Sequence, residues 1–420
     1  MTPYLVVFAA SALVCFVGTP VVRRIAVRVG AIAHPSDRMV HERSTPSMGG
    51  IAMYAGLVVG LLVARALPAF DNLAGSTLQW IAVVGAVTVA AGVGAIDDIK
   101  DITALSKLTG QILIAGLLAI GGVTLLYFLF PGQGLLALSP DMQVLLTILW
   151  VLLLVNAVNL IDGLDGLAAG MVAIAAVAFF LYMYRSPGAA FGGEVSAAAL
   201  VSAITAGVCV GFLPWNFHPA RIFMGDSGAM LLGTLLAVST IFGIGRNAYP
   251  PTGGDLAVIA LPVFLPLLIL AIPLLDVVLA VVRRVRRGRS FAHADKEHIH
   301  HRLMDIGHGY RKTVLLMYLW SALLSAVALT VALADGRTAE GRRVTIAVSL
   351  LAFVVFLATL IPGLVARRRE ARSIQERSDR TTGDVGDQHG STGPGSAGAG
   401  PDGVSNPPAR PAPSTPDARP

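Results

Sequence analysis

Residues 142–170 read MQVLLTILWVLLLVNAVNLIDGLDGLAAG. Up to Val155 the stretch carries no charge and is apolar enough for the middle of a bilayer. Asn156, Asn159, Asp162 and Asp165 then follow at three-residue intervals, with Gly163 and Gly166 beside the acids, before the chain turns apolar again. On an unbroken helix each such step rotates the side chain by about 60°, which leaves Asp165 opposite Asn156. Glycine lets the backbone turn sharply. The expected structure is therefore a helix end opening into a loop that returns these polar groups to a common site. Irregular backbone at that depth is stable only inside protein or along a wet cavity, so a cavity is expected here.

The rest of the chain has the same character. Of 420 residues, 55% are hydrophobic and 13% are charged, and the mean hydropathy is +0.72. Soluble domains carry about 25% charged residues. Apolar runs near 3–22, 47–66, 77–96, 108–130, 142–161, 167–184, 195–214, 228–245, 256–282, 314–334 and 344–366 approach the roughly 20 residues that span hydrocarbon as a helix. The fold class is an all-α polytopic membrane protein of about eleven transmembrane helices. The first run lacks a positive region ahead of it, and Arg23 and Arg24 follow it, which reads as a first span with the N-terminus outside and not as a signal peptide.

That orientation places 23–46, 97–107, 156–166, 215–227, 283–313 and the tail after 366 on the cytoplasmic side. Those segments hold 25 of the 31 Lys and Arg residues, a strong positive-inside bias. The net charge of +6 thus marks a cytoplasmic face suited to lipid headgroups and phosphorylated substrates, not to nucleic acid. Residues 1–366 form the membrane domain, and 367–420 a basic and then disordered cytoplasmic tail. The last 40 residues hold eight Pro and eight Gly and cannot bury a core. Cys15 and Cys209 lie in apolar runs and indicate no disulfide framework. No internal repeat stands out, which weighs against a cation-coupled transporter, the rival from another class.

The polar motifs all fall on that one side. Asp97, Asp98 and Asp101 put three acids within five residues at a helix end. Their repulsion calls for a cation, and hard divalent ions prefer carboxylate oxygen. "FMGDSG" places Asp226 between glycines just before a span, where free backbone N–H groups attract phosphate. "HADKEHIHHRL" gathers His298, His300, His301 and Arg302. No fourth zinc ligand is evident and cysteine is absent, so phosphate contact is the better reading. Asp276 lies inside an apolar run and is a functional candidate or a packing residue.

Five stretches, "RMVHERSTPSMGG", "DDIKD", "NAVNLIDGLDGL", "FMGDSG" and "HADKEHIHHRL", together resemble the signatures of the bacterial polyprenyl-phosphate N-acetylhexosamine-1-phosphate transferases, from about Pro20 to Leu303. The resemblance implies transfer of a sugar 1-phosphate from a UDP-sugar to a polyprenyl phosphate, with release of UMP. It implies magnesium as cofactor, with manganese as a substitute, and Asp226 as the metal ligand beside Asp98. Asp97, Asp98 and Asp162 are the implied catalytic acids, Asp97 being the candidate base. Lys107, Asn159, Asp165, Phe223, His298, His300, His301 and Arg302 are the implied substrate-binding residues, Phe223 stacking on uracil.

The histidine loop is similar to the branch that uses UDP-N-acetylglucosamine. "STPSMGG" is nearer the phospho-N-acetylmuramoyl-pentapeptide branch, which is the alternative. The implied partners are UDP-GlcNAc, undecaprenyl or decaprenyl phosphate and membrane lipids, with a homodimer left open. The implied place is the bacterial plasma membrane, at an early step of cell-wall linker or surface-polysaccharide synthesis.

Overall fold

The computed structural model describes residues 1–33, 44–71, 73, 76–130, 134–185, 196–244, 309–334 and 338–359. Its helices are α1 (Thr2–Val29), α2 (Gly49–Ala66), α3 (Thr77–Lys100), α4 (Ala104–Ile120), α5 (Pro140–Ile161), α6 (Leu167–Arg185), α7 (Ala197–Asn216), α8 (Gly225–Ile244), α9 (Tyr310–Leu333) and α10 (Ala339–Thr359). Nine are long and apolar enough to cross a membrane, and α4 is a shorter apolar helix. They occupy ten of the eleven expected runs. The remaining one, 256–282, lies outside the described residues, as do Asp276 and the tail.

Residue pattern explains why these helices need lipid. In α1 the buried positions Tyr4, Val7, Ser11, Cys15, Thr19, Val22 and Ala26 form one stripe at helical spacing. The opposite face carries Leu5, Leu13, Val17 and Val21, all exposed. In water that face would be polar, and an apolar outer face implies hydrocarbon around it. The outward Ile346, Leu350, Leu351, Phe353 and Val354 of α10 repeat the pattern. By contrast α8 is almost wholly buried. It packs against α2, α3, α5 and α7 and forms the axis of the bundle.

Lipid tails are as apolar as leucine, so close backbone approach through small residues replaces the hydrophobic effect as the force between helices. A methyl added at Gly50 of α2 would lie 2.0 Å from the Gly228 nitrogen of α8. That spacing is what "SMGG" and "GDSG" provide.

One expectation is corrected. The run 108–130 is not a single span. Helix α4 stops at Ile120, Gly122 takes φ +73°, and Tyr127–Phe130 (β3) pairs antiparallel with Gly134–Ala137 (β4). The glycine pair ends the helix, and the Val, Thr, Tyr and Phe that follow suit a pleated ribbon better than a helix. A second small ribbon pairs Ile32–Ala33 (β1) with Thr45–Pro46 (β2). The described fold is thus helical with two short ribbons. Both cysteines are buried and free.

Candidate active site

At one end of the bundle α3, α5 and α7 finish and α2, α8 and α9 begin. Between these ends lies a cavity of about 560 Å³. Its wall is built by two of the sequence motifs pairing along their backbones. The Phe223 N–H donates to the Pro46 carbonyl at 2.8 Å, Gly49 N–H to Phe223 at 2.9 Å, and Gly50 N–H to Met224 at 3.0 Å. The chain then turns into α8 at Gly225, where φ is +71°. A side chain there would strain the backbone and meet the Asp98 carboxylate at 2.3 Å.

Asp98 holds the start of α8. Its Oδ1 accepts the Asp226 N–H at 2.8 Å and the Ser47 hydroxyl at 3.0 Å, and its Oδ2 accepts the Ser227 N–H at 3.2 Å. These N–H groups belong to the first turn of a helix and have no intrahelical acceptor. Both oxygens of Asp98 are therefore engaged in capping.

Asp97 is turned inward, its side chain 1% exposed. Its Oδ1 accepts the Ile102 N–H at 2.9 Å, and its Oδ2 forms an ion pair with Lys107. The same Lys107 ammonium lies 3.2 Å from Asp226 Oδ2. One cation thus bridges the last turn of α3 and the first turn of α8.

Residues 159–165 form the facing wall. Helix α5 ends at Ile161, Asp162 occupies its C-cap, and the turn closes at Gly166 with φ +78°. Gly166 N–H donates to Asn216 Oδ1 at 3.0 Å, and Asn216 Nδ2 donates to the Ile222 carbonyl at 3.1 Å. The Tyr318 hydroxyl donates to the Gly166 carbonyl. Loss of solvent, and then the negative charges of Asp226, Asp98 and Asp165, raise the Asp162 carboxyl from its ordinary 3.8 to about 8.

Asp97, Asp98, Asn159, Asp162, Asp165, Phe223 and Asp226 line this one cavity, and Lys107 joins it through its two aspartates. Asn156 does not. Its amide faces Gln111 of α4, donating to Gln111 Oε1 at 2.8 Å. His298, His300, His301 and Arg302 lie outside the described residues. Sequence reasoning missed Ser47, Asn216 and Tyr310 on the wall and His218 behind it, 2.8 Å from Asp165. His218 stands in "NFHPARIFMGDSG", but nothing in its spacing relates it to Asp165.

Among the described residues no three His, Cys, Asp or Glu side chains form a closed metal cage. Magnesium does not need one. It keeps waters and takes one or two carboxylates together with substrate phosphate oxygens. Asp226 and Asp162 offer hard oxygen donors on one cavity, and the neighbouring carboxyls of Asp98 and Asp165 add negative charge beside them. The donor set fits a magnesium ion.

Fold and site together define a multi-pass membrane protein with a carboxylate-lined cavity at the ends of its helices. The chain belongs to glycosyl transferase family 4, whose model matches residues 80–244. It is 41% identical over 365 residues to the decaprenyl-phosphate N-acetylglucosaminephosphotransferase of Mycobacterium tuberculosis (strain CDC 1551 / Oshkosh), covering 84% of this chain and 87% of the relative. It is 32% identical over 366 residues to the probable undecaprenyl-phosphate N-acetylglucosaminyl 1-phosphate transferase of Bacillus subtilis (strain 168), covering 87% and 92%. The phospho-N-acetylmuramoyl-pentapeptide-transferase of Mycolicibacterium smegmatis is 33% identical over 228 residues, covering 47% and 63%.

Proposed function

We propose that this chain transfers N-acetylglucosamine 1-phosphate from UDP-GlcNAc to a polyprenyl phosphate, undecaprenyl or decaprenyl, releasing UMP. The observation that carries this is the cavity itself. Acids from three separate motifs and one bridging lysine meet where apolar helices end, which suits a reaction joining a lipid phosphate to a water-soluble nucleotide. The relatives that cover most of the chain carry N-acetylglucosamine transferase names, and the muramoyl-pentapeptide relative covers about half. The positive-inside bias supports a cytoplasmic cavity in a bacterial plasma membrane with the N-terminus outside.

In the reaction an acceptor phosphate oxygen attacks the sugar-side phosphorus. A new P–O bond forms, the bond to the UMP oxygen breaks, and UMP leaves with the electron pair. Such transfers ask mainly for alignment and charge neutralisation. Asp226 and Asp162 would hold magnesium, which when bound supplies positive charge to the diphosphate oxygens. Asp98 fixes the start of α8 and so places Asp226. A phosphomonoester has its second pKa near about 6, so the acceptor is already largely dianionic at neutral pH. Asp97 is then needed less as a base than as the counter-charge that holds Lys107 over the cavity.

The test is incubation of the purified chain in detergent with radiolabelled UDP-GlcNAc, polyprenyl phosphate and magnesium. A chloroform-soluble labelled product with equimolar UMP is expected. No product with this donor, but product with UDP-N-acetylmuramoyl-pentapeptide, overturns the proposal in favour of the sister branch.

A further inference from the structure

The cavity has a wet rim, built from three segments far apart in sequence. These are the turn 162–166, the connection 217–220 and the first residues of α9, and His218 is where they meet. Its Nδ1 lies 2.8 Å from Asp165 Oδ2. An ionised carboxylate only accepts, so Nδ1 carries the proton. The same oxygen accepts the Ala220 N–H at 3.0 Å. The His218 ring stacks on Tyr310, with centroids 4.0 Å apart and planes 23° from parallel. Arg311 Nε donates to the His218 carbonyl at 3.1 Å. The circuit closes where the Asp165 N–H donates to the Tyr310 hydroxyl.

Two facts give this clasp a side. The His218 side chain is 37% exposed, and Pro219 and Arg311 beside it face outward. The Asp97 side chain, at the other wall, is 1% exposed. The exposed His218 side of the cavity is therefore the side open to solvent, and a water-soluble nucleotide is the substrate that suits it.

We infer that His218 is a positioning residue for the nucleotide donor: it holds Asp165, and with it the turn 162–166, against Tyr310, so that the rim is shaped before the donor arrives. This rests on the reaction proposed above. Pre-ordering of a binding wall lowers the cost of binding and leaves the bond-making step alone. The donor KM therefore depends on His218, and neither kcat nor the lipid KM does.

Three variants separate its contacts. His218→Asn keeps an N–H donor near the place of Nδ1 and loses the ring. His218→Phe keeps the ring on Tyr310 and loses the donor. His218→Ala loses both. Steady-state kinetics of the full chain in detergent should show the UDP-GlcNAc KM rising about tenfold in the Ala and Phe variants, the size expected for one hydrogen bond to a charged group. In the Asn variant it should return to within roughly threefold of wild type. Melting temperatures are measured alongside. If the Ala variant does not fold, the Asn–Phe comparison decides alone.

An unchanged donor KM in the Phe variant overturns the inference. So does a fall in kcat common to all variants, or a rise in the lipid KM instead. Inactivity of the wild type with UDP-GlcNAc overturns the proposed reaction, not the clasp. Calorimetric titration of UMP onto wild type and variants then tests His218 by itself, with weaker UMP binding in Phe than in Asn expected and equal affinities refuting it.

Discussion

Replacing Asp98 by Asn separates the metal-ligand role that the resemblance implies from the helix-capping role that the geometry gives it. In the structure Oδ1 accepts from Asp226 N–H and Ser47, and Oδ2 from Ser227 N–H. Asparagine has one acceptor oxygen. With that oxygen in the Oδ1 position, its amide nitrogen faces the Ser227 N–H, donor against donor, beside a residue that is fully buried. A buried N–H without a partner costs about 1–3 kcal/mol. Losing a negative charge at a helix N-terminus costs about 0.3–1 kcal/mol more, and up to about 2 when partly buried. Together the loss is on the order of 2–4 kcal/mol, concentrated at the start of α8. Because α8 is the axis of the bundle, thermal unfolding in detergent should show a clear fall in melting temperature for Asp98→Asn, with or without magnesium. Asp226→Asn, which leaves the cap intact, should keep its melting temperature and lose activity. If Asp98→Asn melts like wild type and is rescued by raised magnesium, Asp98 is a ligand and the capping argument is wrong.

Asp97→Asn should lower the rate by the same factor at pH 6 and pH 9, because wild type and variant draw on the same dianionic fraction of the acceptor; a defect that shrinks at high pH, in a UMP-release assay, restores Asp97 as the base. Asp162 is raised from 3.8 to about 8, so between those values the folded chain holds a proton that the unfolded chain has released. Stability without metal therefore falls as pH rises through that window. Melting curves in EDTA should show the decline and Asp162→Asn should flatten it, while an equal decline in the variant places the effect on another group. A methyl at Gly50 would lie 2.0 Å from Gly228 N and 2.3 Å from Ser227 C, backbone atoms that cannot rotate away. Gly50→Ala should cost at least about 1–3 kcal/mol and yield aggregated protein on size exclusion, whereas Gly85→Ala, with open space around it, should behave as wild type.

Much of this site was legible because its groups are acids at the ends of apolar runs. Asp97, Asp98, Asp162 and Asp226 each follow or precede a membrane-grade stretch. Any antiparallel bundle with the expected loops brings those ends to one side. Asp165 was legible for a second reason, since Gly163 and Gly166 permit the turn that returns it to the cavity. What failed were readings that depend on a partner across the bundle. Asn156 has the same spacing as its neighbours but meets Gln111 of α4. The run 108–130 has the composition of a span, but the glycine pair at 121–122 breaks it and its end pairs as a ribbon with β4.

The sequence by itself determined the membrane fold, the boundaries of most helices and the clustering of acids at one edge. These follow from local composition and periodicity, which no distant contact alters. Only the tertiary structure decided how each acid is used. Asp98 caps α8, Asp97 anchors a lysine that reaches Asp226, and Asp165 is clasped by His218. A carboxylate's task is set by the donors within about 3 Å of it: Ile102 and Lys107 reach Asp97 from nearby in the chain, but Ser47, Asp226 and Ser227 at Asp98 and His218 and Ala220 at Asp165 come from segments 51 to 129 residues away.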